Sequence, residues 1–278
     1  MPQLRLAWRM QRWEMSLLVG AALVLTVAAL ILPSTEGGGG DPRMIVLFLT
    51  LVGPILIGSV LGVGLVAAEV EHGTAQVAWS LARSRLRWLF IRAWPLSAVG
   101  VLVCLVLGAA AARLMDETSP SNIFMAAMRG PIVALHLLSA LAVATLVGAV
   151  LRRVVPALLV AIAVNAGILI LLSSAVQPWM EERATLIPVE ERSVDPVIAV
   201  LEYETVSISS TGELTLTEPE CDTQASCMAA MAELTHAVRV VPGSAYLPLL
   251  GFAAAASLII VVAASAATVG VMTRFGPG

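Results

Sequence analysis

Lysine is absent from this chain, and all 16 basic residues are arginine. A phosphate-cradling Gly-rich loop needs a lysine on the nucleotide. A Schiff-base enzyme needs a lysine amine. The chain can be neither, so any ATP it depends on must be bound by another polypeptide. Histidine is scarce, at three residues: His72, His136 and His236. In the topology expected of the chain they fall inside, within the membrane and outside, so they cannot share one site, and no H-E-x-x-H or G-x-S-x-G motif is present. Nothing therefore points to a catalytic or metal-binding residue. Charged residues make up only 13% of the chain, and the net charge of −3 comes with no long basic run. Nucleic acid is excluded as an expected partner.

Apolar residues, at 59%, fill the space that the charges leave. They come in long uncharged runs, each able to cross a hydrocarbon core of roughly 30 Å, which takes about 20 helical residues. Six spans are expected, at Met15–Leu32, Met44–Ala68, Trp94–Leu114, Pro131–Leu151, Val154–Val176 and Ala245–Thr273. The first follows Arg5, Arg9 and Arg12 and reads as an uncleaved anchor. Arginine placement sets the orientation. With the N-terminus inside, Arg83, Arg85, Arg87, Arg92, Arg152, Arg153 and Arg274 fall on the cytoplasmic side with the three N-terminal arginines. Both termini are then cytoplasmic. The expected fold is an all-α polytopic membrane protein with a small α+β extracellular domain between spans five and six. Its parts are an N-terminal interfacial segment (1–13), spans one to five (14–176), the extracellular domain (177–244), and span six with its tail (245–278).

The extracellular domain is acidic, with twelve carboxylates against Arg183, Arg192 and Arg239. Ile198–Ser209 reads as a strand, Ser210-Thr211-Gly212 as a turn and Glu213–Thr217 as its partner strand, giving a hairpin. Residues 224–237, QASCMAAMAELTHA, read as a short helix. Cys221 and Cys227 lie on the oxidising side and are expected to form a disulfide. Six helical positions would put them about 9 Å apart along the axis, beyond the roughly 7 Å a disulfide tolerates. Cys221 must therefore lie off the helix. Cys104 reads as a packed core residue.

Residues 69–93 form the one sizeable cytoplasmic loop. Glu69 and Glu71 suit the start of a short helix, Gly73 permits a sharp exit from span two and Thr74 can cap the helix Thr74–Ala82. Arg83, Arg85 and Arg87 then precede Trp88 and span three. A positive-inside loop with an interfacial tryptophan explains the arginines, but not the paired glutamates. Glu69-Val70-Glu71-His72-Gly73-Thr74, Ser84-Arg85 and Arg87-Trp88 together resemble the corresponding loop of ABC-2 type permease subunits of ATP-binding-cassette transporters, in a type V-like exporter arrangement.

That resemblance implies that residues 69–93 are a coupling segment docked on a separate ATPase subunit, with Glu69, Glu71, Gly73, Thr74, Arg83, Arg85 and Arg87 bearing on the contact. It implies no cofactor on this chain, with ATP and Mg on the partner ATPase. A second permease subunit, identical or a paralogue, completes the pore in a bacterial plasma membrane. Leu4–Trp13 would lie along its inner face. The extracellular domain is larger and more acidic than the short re-entrant helices of the best-known members. The nearly uncharged spans suit an amphipathic, lipid-like, peptide or drug-like export substrate. Polar residues within spans are candidates for its path, here His136 and Asn165, or else hydrogen-bond between helices. Gly58 and Gly62 form a GxxxG that suits either packing within the chain or a dimer face. The rival reading is a non-transporting sensor or assembly partner that binds through the acidic extracellular domain.

Overall fold

The computed structural model describes residues 42–75, 84–117, 131–188, 197–208, 214–216 and 235–274 of the chain, together with Ser16, Gly20 and Val27. Apart from those three, each helical, the expected first span Met15–Leu32 lies outside the described residues, as do Leu4–Trp13, residues 76–83, Cys221 and Cys227. Five helices among the described residues are long and apolar enough to cross a membrane. They are α1 (Pro42–Glu71), α2 (Arg85–Glu117), α3 (Ile132–Leu151), α4 (Val154–Arg183) and α5 (Tyr246–Arg274). Helices are what such sequences must form in lipid, where every backbone N–H and C=O needs a partner within its own segment. Pro54, Pro95 and Pro178 lie inside α1, α2 and α4. Pro248 falls in the first turn of α5, where its missing N–H removes no helical bond.

The chain divides into two compact units. Most of α1 to α4 and all but the start of α5 form the first. Its centre is the α1–α3 pair, and small residues bring the two backbones together. A Cβ on Gly58 would stand 2.9 Å from the Leu137 carbonyl oxygen, and one on Gly62 only 2.5 Å from that of Leu141. A Cβ on Gly148 of α3 would stand 3.3 Å from the Val63 Cα and carbonyl oxygen. The GxxxG of α1 is therefore a packing surface within the chain. These contacts climb both helices together, so α1 and α3 run parallel. Cys104 of α2 packs instead on Val133, Ala134 and Leu137 while Gly100 meets Leu137, so α2 runs antiparallel to α3. Ala157 and Ala161 of α4 meet Val63, Ala67 and Ala144. Ala264 of α5 meets Ala142 and Val143, and Met272 meets Ala149. The helices thus alternate in direction along the chain, as successive crossings of a membrane do. Cys104 is buried, as expected of a core residue.

The second unit contains the end of α4, the start of α5 and a four-stranded antiparallel sheet between them. Its strands are β1 (Thr185–Pro188), β2 (Val197–Ile208), β3 (Leu214–Leu216) and β4 (Thr235–Pro242), ordered β1-β4-β2-β3. The expected hairpin is present, with Val206 opposite Leu216 and Ile208 opposite Leu214. Two expectations are corrected. Thr235, His236 and Ala237, read as the end of a helix, are the first residues of β4 and pair with Val206, Thr205 and Glu204. Strand pairing there overrides the local helical pattern. The loop read as 69–93 is shorter, because α1 runs to Glu71 and α2 begins at Arg85. Helical backbone continues past the last apolar turn wherever its end groups find partners. In this unit Met180, Val241, Ala245 and Leu249 form a small core.

Candidate functional site

The motif Glu69–Thr74 first terminates a helix. Gly73 adopts φ +72°, the left-handed conformation that favours glycine. The Gly73 N–H donates to the Val70 carbonyl at 3.1 Å, and the Thr74 N–H to the Glu69 carbonyl at 3.0 Å. This is the Schellman pattern, which closes a helix C-terminus by satisfying its last carbonyls. The Thr74 hydroxyl adds a bond to the same Glu69 carbonyl at 3.3 Å and another to the Glu69 carboxylate. The His72 ring donates from Nδ1 to the Ala68 carbonyl at 2.6 Å. On the far side of the loop, the Ser84 hydroxyl accepts the Arg87 N–H at 3.2 Å and so caps the start of α2.

The charged side chains then reach across to other helices. Arg92 of α2 donates to Glu69 Oε1 at 2.6 Å, forming an ion pair in which both side chains are more than four-fifths buried. The Arg92 guanidinium also lies 5.1 Å from the centroid of the buried Trp88 ring, within cation–π range. Glu71 Oε2 accepts the N–H of Val154, the first residue of α4, at 2.6 Å. That N–H is one of the four that α4 cannot satisfy itself. Glu71 is thus an N-cap supplied from another helix, with its negative charge at the positive end of the α4 dipole. Arg85 donates from Nη1 to the carbonyl of Met272, in the last turn of α5, at 2.6 Å. There the guanidinium sits at the negative end of a dipole. One short stretch of chain therefore holds the ends of α1, α2, α4 and α5.

Of the expected site residues, Glu69, Glu71, Gly73, Thr74 and Arg85 are gathered at this end of the first unit, and Arg87 stands exposed beside them. Arg83 lies outside the described residues. Arg92, the ion-pair partner of Glu69, was not among the expected site residues. Its only sequence signal is its place one helical hairpin after Glu69. The two expected pathway residues separate. Buried Asn165 donates to Ser59 Oγ at 3.0 Å and to the Ala140 carbonyl at 3.4 Å, tying α4 to α1 and α3. His136 keeps a buried Nε2 with no hydrogen-bond partner among the described residues.

A family model described as ABC-2 membrane transporter related matches residues 34–177, just over half of the chain. The match encloses α1, α2, α3 and most of α4 with the charged loop between α1 and α2, but not the end of α5 that Arg85 holds, and stops before the sheet. No curated protein and no solved structure matches.

Proposed function

The chain belongs to the ABC-2 membrane transporter related family, and from that premise we propose that it exports an amphipathic or lipid-like substrate with ATP hydrolysed by a separate subunit. As a member of that family it is a membrane permease subunit of an ABC transporter. The observation that carries the reading further is the charged end, whose loop lies inside the matched region and is tied to four helices. A loop so anchored can pass a displacement at its tip into the bundle. The tip is then the coupling segment, facing the cytoplasm, and the ATPase presses on it. ATP would favour an outward-facing permease only through a difference in affinity between the two states.

This reading divides the motif by role. Glu69 and Arg92 shape the loop from within, while exposed Arg87 meets the ATPase. His136, with its uncommitted nitrogen, is the pathway candidate, and Asn165 a helix tie. The absence of lysine supports a separate ATPase, since the chain has no phosphate-binding loop of its own.

The test is to search the neighbouring reading frames for a P-loop ATPase and to co-express the chain with it, followed by purification in lipid nanodiscs. A stable complex with ATP turnover is the expected result. Arg87→Glu should weaken ATPase binding about tenfold, a loss of roughly 1.4 kcal/mol, and leave the permease folded. A wild-type chain that retains no ATPase would overturn the reading.

A further inference from the structure

The loop between α1 and α2 grips two helices that are not its sequence neighbours. Glu71 closes the first N–H of α4 at 2.6 Å, and Arg85 holds a last-turn carbonyl of α5 at 2.6 Å. Both bonds set a full charge against the helix end of opposite polarity. One meets an N-terminus and the other a C-terminus because α4 and α5 are antiparallel to each other. Beyond these bonds α4 is tied to α1 and α3 by Asn165, Ala157 and Ala161, but α4 and α5 bury a smaller share of their residues than α3, the most buried of the described helices. A displacement of the loop therefore meets a tightly packed α1–α3 pair and two less buried helices whose ends it holds directly.

We propose that Glu71 and Arg85 are positioning residues that deliver the ATPase stroke to α4 and α5, so that these two helices move against a fixed α1–α3 core. The proposal rests on the coupling reading above and adds which helices move and which atoms move them. The core is fixed because Gly58, Gly62 and Gly148 place backbone against backbone, where close packing leaves no room to slide. The tethers are suited to transmission because each acts on the helix as a whole. A hydrogen bond at a terminus pulls along the axis, and the helix carries the displacement as a rigid rod. Glu69 plays no part in this step, being bound to Arg92 and Thr74 of its own hairpin.

The test uses the full chain with its co-purified ATPase in nanodiscs and reads two quantities: hydrogen exchange at the Val154 amide, and ATP turnover. Glu71→Ala should raise exchange at Val154 about fivefold, the loss expected of an N-cap. It should lower turnover while the ATPase stays bound. Glu71→Gln keeps an acceptor oxygen and should return both readings to wild type. Arg85→Ala should lower turnover without changing exchange at Val154. Unchanged exchange in Glu71→Ala, or raised exchange with wild-type turnover, would overturn the proposal. If Glu71→Ala is not obtained as a monodisperse protein, wild-type turnover in Arg85→Ala overturns it. A wild-type chain without bound ATPase overturns the coupling reading as well. That outcome is distinguished by exchange at Val154 still responding to Glu71→Ala.

Discussion

Glu69 and Glu71 stand two positions apart and have unrelated partners. The first neutralises Arg92 beside a buried tryptophan, and the second caps a helix that begins 83 residues later. Removing Glu69 leaves a largely buried guanidinium without its ion pair. Glu69→Ala should therefore destabilise the fold by about 2 kcal/mol, between the values for exposed and fully buried pairs. Unfolding in detergent would measure it, and a double-mutant cycle with Arg92→Ala would isolate the pair. Gly73 has no such partner, and its role is conformational. Gly73→Ala must hold a Cβ at φ +72° and should cost about 1 kcal/mol by the same measurement. Nothing lies within 4 Å of that Cβ, so any loss comes from backbone strain alone.

Helix pairing turns on small residues at one spacing. Gly62→Ala would drive a Cβ to 2.5 Å from the Leu141 carbonyl oxygen, which is backbone and cannot turn aside. The α1–α3 pair should lose about 1–3 kcal/mol. Gly64, two residues on, faces open space. Gly64→Ala should change stability by less than about 0.5 kcal/mol, so the two variants compared in one unfolding series test the assigned packing face. Asn165→Leu removes the tie from α4 to Ser59 and Ala140 and should cost about 1 kcal/mol. If Asn165 is a tie and not a pathway residue, the variant should retain its ATP turnover in the complex. A large loss of turnover in a well-folded Asn165→Leu protein would return it to the pathway.

The alternating helix directions put Ser84, the Arg152–Arg153 link and Thr273 at one end of the first unit. With this end in the cytoplasm, Ser84→Cys and Thr273→Cys should resist a membrane-impermeant thiol reagent in intact cells and react after permeabilisation. The background should carry serine at Cys104, Cys221 and Cys227. Labelling of both in intact cells would invert the orientation, and labelling of one alone would break the alternation. The sheet follows α4 as a separate unit and falls outside the family match, so whatever it contributes is not a property this chain shares with the matched family by that evidence.

The positions of the five described membrane-length helices, the β2–β3 hairpin and the resemblance to ABC-2 permeases were all readable along the chain. Hydropathy, turn chemistry and motif spacing are local, and a window of twenty residues contains them. Even the Schellman end was half visible, since a glycine after a helix is its usual mark. Other features were not readable: which face of α1 the GxxxG presents, which helix Glu71 caps, and the strand at Thr235 in place of a helix end. The partners that Glu69, Glu71, Asn165 and Arg85 reach lie 23, 83, 106 and 187 residues away. Folding alone brings such residues together, because the packing of whole helices, and not any local preference, decides which ends meet.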